Sequence, residues 1–170
     1  MFGDLHIHMI LDGVYYRAAI DAQKEHPLDG LVRARLSDYQ ARGVCLLRDG
    51  GDAWGVSLRA RELAGEYGID YRSPAFPIYR RGHYGAFIGR GFDTEDEYRA
   101  LLDEAGEKRA DFIKLMISGL IDFDHFGVLT EPGPEPQDIR RMIELAHAAG
   151  FAVMAHANGD RAVTAALQAG

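Results

Sequence analysis

Residues 4–8 read Asp4-Leu5-His6-Ile7-His8 (DLHIH). Side chains of a strand alternate faces, so Asp4, His6 and His8 fall on one side while Leu5 and Ile7 fall on the other. Two imidazoles would then project side by side near the C-terminal end of a short strand. Outward from this stretch, short apolar runs alternate with longer stretches of helical period, the pattern of repeated βα units around a parallel sheet. The reading predicts about five such units, with strands at 4–8, 44–48, 69–73, 112–117 and 151–156.

The helices are expected at 14–26 and 28–42, broken at Pro27, whose ring fixes φ and removes a donor. Further helices are expected at 56–67, 94–108, 137–149 and 160–168, with Gly43 and Gly150 ending two of the six. Thr94 followed three residues later by Glu97 has the form of a capping box. Residues 74–91, PAFPIYRRGHYGAFIGRG, exceed a routine βα connection and read as one long loop of functional interest. A second irregular stretch, SGLIDFDHFGVLTEPGPEP, follows the fourth strand. No repeat beyond the βα alternation and no linker is evident, so one domain over residues 1–170 is the simplest account.

Composition excludes several classes. The 170 residues are 47% hydrophobic, enough for a sizeable core, and the formal charge of -7 opposes a surface that tracks phosphates. Nucleic acid is therefore not an expected partner. Cys45 is the single cysteine, which rules out an internal disulfide framework or a thiolate zinc cluster. No apolar run reaches the roughly 20 residues of a membrane span, and the first residues lack the form of a secretion signal. The expectation is a cytoplasmic chain without membrane partners.

Three strand ends carry the candidate chemistry. His6 and His8 have a spacing that lets two imidazoles share one divalent ion, though two hydrogen-bonded core histidines would look the same. Lys114 sits inside Phe112, Ile113, Leu115, Met116 and Ile117, where an ammonium is costly to bury. A buried lysine tends to lose its proton, and the neutral amine can combine with carbon dioxide to give an anionic carbamate able to bridge metals. The other reading of Lys114 is a side chain that snorkels to water or pairs with a carboxylate such as Asp111. His156 closes the fifth strand in VMAHANGD. His26 and His147 read as surface or helix-end residues. Asp49 and Asp52 lie in a Gly-rich turn, where aspartate usually serves the backbone. His83 and Tyr84 are candidate contacts to a substrate oxygen.

Taken in order, DLHIH, RDGG, RRGHYG, DFIKLMISG and VMAHANGD resemble the amidohydrolase superfamily over nearly the whole chain, most of all the branch of imidazolonepropionase-like proteins and metal-dependent dipeptidases. The resemblance implies an α/β fold, a partial (β/α)8 TIM-type barrel without strands 6 to 8. It also implies one or two divalent ions, zinc first among them, with His6 and His8 on one ion, carboxylated Lys114 as the bridge and His156 on the other. The implied activity is metal-dependent hydrolysis of amide, peptide or ester bonds in small molecules, with the family's catalytic aspartate beyond Gly170 and the chain itself an incomplete or weakly active portion. Asn158 stands where many relatives carry a second histidine. Open sheet edges would favour self-association. Two alternatives remain: a polymerase-and-histidinol-phosphatase type phosphoesterase, suggested by DLHIH with Asp12 and Gly13, and a non-catalytic metal-binding or assembly fragment.

Overall fold

A computed structural model of the chain describes residues 2–170. Along the sequence it contains β1 (Phe2–Ile7), α1 (Tyr16–Asp21), α2 (Asp29–Ala41), β2 (Val44–Asp49), α3 (Val56–Ala64), β3 (Asp70–Arg72) and β4 (Pro77–Arg80). These are followed by β5 (Arg90–Phe92), α4 (Glu95–Glu107), β6 (Ile113–Met116), α5 (Pro136–Ala148), β7 (Val153–His156) and α6 (Gly159–Ala169). The named strands pair in parallel throughout. The chain divides into two compact units, one ending at Phe76 and one spanning Pro77–Gly170. The first holds a sheet of order β1-β2-β3 and the second a sheet of order β5-β4-β6-β7.

In the first unit α2 packs on β2 and α3 on β3, and the two helices touch each other. Val32, Leu36, Leu47, Val56 and Ala60 are completely buried there. Each large aliphatic side chain of this kind stabilises the fold by roughly 1.5–3 kcal/mol relative to exposure. Asp52 starts α3: its carboxylate accepts from the amide of Trp54 in the preceding turn and from those of Val56 and Ser57, donors that the first helical turn would otherwise leave orphaned. Burial, reinforced by the nearby charge of Asp49, nevertheless pushes its carboxyl up to about 6.

Two helices differ from expectation. The stretch 14–26 forms a helix only over Tyr16–Asp21; its start is delayed because Asp12 takes the amides of Val14 and Tyr15 into a local side-chain turn. The stretch 56–67 is regular only to Ala64 and finishes as a 3-10 turn, Gly65–Tyr67, with Gly68 at φ 65°. A turn that tightens at its end in this way satisfies the last carbonyls.

In the second unit α4 lies beside β5 and α5, while α5 packs on β7 and α6. Tyr98, Leu102, Ala105, Ile139, Ile143 and Ala146 form the interior, and the Tyr98 hydroxyl donates to the carbonyl of Met142 at 2.9 Å. Thr94 caps α4 as the sequence predicts, accepting from Glu97 N at 3.3 Å. The Glu97 carboxylate reaches back one residue further than a capping box requires, to Asp93 N at 2.8 Å.

Residues 74–91 are not one loop. They contain all of β4 and the start of β5. The expected third strand, 69–73, is β3, hydrogen-bonded to β2, while β4 and β5 are added strands within the expected loop, β4 hydrogen-bonded to β6 and β5 to β4. Ala75, at φ 66°, lies between β3 and β4. A Cβ at Gly85, Gly89 or Gly91 would lie 2.6, 3.3 or 2.8 Å from atoms of Tyr79, so three glycines let the chain wrap that ring.

Candidate functional site

The site-bearing end of β1 depends on the turn after β2. The pairing of β1 with β2 shifts register between Asp4 and Ile7, yet the rings of His6 and His8 come together with centroids 5.5 Å apart. His8 lies just past the strand. Its Nδ1 is 3.0 Å from the carbonyl oxygen of Gly51. A carbonyl only accepts, so the ring proton belongs on Nδ1 and the lone pair on Nε2. The ring rests on Gly50, where a Cβ would be 2.3 Å from Cε1 of His8 and 2.6 Å from Nε2. Gly51, at φ 80°, would clash with the backbone of Phe76 if it carried a Cβ. Both glycines of the RDGG motif are thus required by close approach.

Asp49 fixes this arrangement from beneath. Its carboxylate is 1% exposed and accepts from Met9 N at 3.0 Å, from Gly51 N at 2.6 Å and from the Tyr71 hydroxyl. Burial raises its pKa against the opposing effect of those bonds. Asp49 and Asp52 thus accept chiefly from backbone amides, with the Tyr71 hydroxyl a further donor to Asp49.

In the second unit every residue of β6 is buried, with Ile113 and Leu115 on one face and Lys114 and Met116 on the other. Lys114 has no exposed surface, which removes the reading in which its amine snorkels to water. The register sets Lys114 beside Met154 and Met116 beside His156, so Lys114 and His156 share a face of the β6–β7 pair. The His156 imidazole has its pKa lowered, first by burial and further by the charge of Lys114, against the effect of its bond to Gly119. Its Nε2 is 3.2 Å from the Gly119 carbonyl and 3.2 Å from Nδ2 of Asn158, which itself donates to Gly119 O at 2.9 Å. Nδ1 is the ring nitrogen that these bonds leave aside.

Tyr84 stacks on His156 with ring centroids 5.1 Å apart. His83 makes a different contact, with Nδ1 3.0 Å from Oε2 of Glu131. Sequence reasoning passed over Glu131. It is a carboxylate in a Gly- and Pro-rich stretch, and only its contacts 47 and 48 residues away distinguish it. Next to Gly159 a cavity of about 570 Å³ is lined by Ile121, Phe123, Phe126, Val128 and Leu129. The structure therefore joins His6 with His8 in the first unit, and Lys114, His156 and Tyr84 in the second. Among the described residues no three His, Cys, Asp or Glu side chains form a group able to hold a metal ion. No helix among them is long and apolar enough to cross a membrane.

Solved structures share this fold. An Aspergillus niger ochratoxinase matches with a TM-score of 0.71 at 18% identity, over 99% of this chain and 45% of its own. A Xaa-Pro dipeptidase with methionine bound in its active site matches with a TM-score of 0.67 at 17% identity, again over 99% and 45%. A protein described as an amidohydrolase matches with a TM-score of 0.62 at 22% identity over the same shares. No family model matches the sequence, and no curated protein does. These matches show the fold alone, an α/β fold of parallel strands forming a partial (β/α) barrel. The chain spans less than half the length of the structures it matches.

Proposed function

We propose that this chain carries the metal-binding portion of a metal-dependent hydrolase acting on amide, peptide or ester bonds of small molecules. The observation that carries this reading is the His6–His8 pair, with His8 held by Gly51 O in the tautomer that has its lone pair on Nε2. A ligating histidine commonly donates its other ring N–H to a carbonyl or carboxylate in this way. Imidazole donors suit zinc and similar divalent ions. His6 and His8 would hold a first ion, and Lys114 and His156 a second. Bound metal would supply an acidified water and polarise the scissile carbonyl.

The chain's own residues prepare that chemistry. Lys114 is wholly buried, and the nitrogen of its amine, once deprotonated, would bond to the carbon of carbon dioxide and release a proton, leaving a carbamate. Asn158 and Gly119 orient His156, and Asp49 holds the amides of Met9, the residue after His8, and of Gly51, whose carbonyl binds the His8 ring. Three of the fold's neighbours are hydrolases by name, which supports the reaction class.

Elemental mass spectrometry of the purified protein tests the assignment. Wild type is expected to retain divalent metal, to retain more when bicarbonate is present, and to lose it in the His6→Ala, His8→Ala double variant. Equal metal content in the two proteins rejects the site, and phosphatase turnover without amidase or esterase turnover would favour the phosphoesterase alternative. Gly50→Ala provides a second test, because its new Cβ falls on the His8 ring. Metal affinity is expected to drop about 10- to 100-fold, as for loss of a group that orients a ligand. Titration calorimetry giving an unchanged affinity would show that His8 is not a ligand.

A further inference from the structure

Glu131 is the hub of a small network in the second unit. Its Oε1 accepts from Tyr84 N at 3.0 Å, and its Oε2 accepts from Gly133 N at 2.9 Å and faces Nδ1 of His83 at 3.0 Å. His83 and Glu131 are about a quarter exposed, so the pair is shielded yet reachable. The Tyr84 ring that this carboxylate anchors through its amide is the one stacked on His156. Partial burial works to raise the Glu131 carboxyl, but the bonds from His83, Tyr84 and Gly133 outweigh it and hold the group below its ordinary range. An ionised carboxylate has no hydrogen to give, so the proton in the His83–Glu131 bond must come from the ring.

We propose that Glu131 is a positioning residue that holds the proton of the His83 ring on Nδ1, so that Nε2 presents its lone pair to a hydrogen-bond donor on the ligand. The donor class that fits a hydrolase of carbon–nitrogen bonds is the N–H of the scissile amide, and this choice of ligand rests on the function proposed above. A bare ligand oxygen would find a donor at Nε2 only in the imidazolium. Glu131 thereby selects amides over otherwise matched esters, which have no hydrogen on the leaving atom.

The tautomer can be read directly from long-range proton–nitrogen spectra of the uniformly labelled protein at neutral pH, with the His83 signals identified by their loss in His83→Asn. Wild type is expected to show a protonated Nδ1 and an unprotonated Nε2. In Glu131→Ala the accepting carboxylate is gone, and the ring should lose its preference for Nδ1–H. A wild-type His83 protonated at Nε2 and not at Nδ1, or an unchanged pattern in Glu131→Ala, overturns the positioning role. If Glu131→Ala fails to fold, the wild-type spectrum alone decides.

The ligand class is tested with an acyl para-nitroanilide and the matching para-nitrophenyl ester. Glu131→Ala should raise the anilide's KM about tenfold relative to the ester's, the scale of one lost hydrogen bond. Equal changes for both substrates overturn the amide assignment. Absence of turnover in wild type would overturn the hydrolase reading and the ligand choice with it, whereas the nitrogen spectra would still decide the tautomer.

Discussion

Lys114→Met is expected to lower metal-dependent hydrolysis at least about a hundredfold while the chain stays folded. Methionine follows the path of the lysine stem and supplies a soft sulfur in place of the amine, so it preserves packing and removes only the group that can become a carbamate. Because Lys114 is wholly enclosed in a strand buried on both faces, the exchange does not open the interior to water. Replacing a buried charged group by an apolar one of similar shape is often close to neutral for stability, although any group that was paired with it then loses its partner. Circular dichroism and metal analysis should therefore separate folding from function. Retained hydrolysis with wild-type metal content would remove Lys114 from the site, whatever its effect on stability.

Gly133→Ala is expected to destabilise the protein by about 2–4 kcal/mol. At this position φ is +78°, and an added Cβ would lie 2.3 Å from the carbonyl oxygen of Ile117 and 2.9 Å from both Ile117 C and Ser118 Cα. All three are backbone atoms at the exit of β6, where no rotamer change can make room. Ser118 Oγ accepts from Asn158 N at 2.7 Å, so a displaced Ser118 would also disturb the turn that follows His156. Gly127 supplies the control: its φ is +77°, but nothing lies within 4 Å of its Cβ position. Gly127→Ala should cost only about 1 kcal/mol, the conformational penalty alone. Urea denaturation of the two variants measures the difference, and equal losses would show that the contact with Ile117 is unimportant.

Much of this architecture was legible because apolar runs of four to six residues fix the central strands. Val44–Asp49, Ile113–Met116 and Val153–His156 appear within two residues of their expected limits. The histidine pair and Lys114 were legible for the same reason, since strand alternation and burial follow from local pattern. The segment PIYR of β4 was not, because proline at its start and arginine at its end imitate a loop, and its pairing with β6 is a long-range contact. Helix α1 starts later than its pattern implies because the hydrogen bonds of Asp12 to Val14 and Tyr15 leave no trace in hydrophobic period. Glu131 shows the same blindness at the site. Its partners are set by how two irregular segments meet, and neither composition nor spacing encodes that meeting.

The wrapping of Tyr79 by Gly85, Gly89 and Gly91 decides how this segment tolerates change. Libraries aimed at new specificity would waste most of their diversity at those three sites, since any side chain there competes for volume with an aromatic ring seated between its neighbours. Useful variation is confined to the intervening residues, of which Tyr84 and Phe87 already touch each other. A directed-evolution campaign that leaves the three glycines untouched would search a smaller space with a larger fraction of folded members.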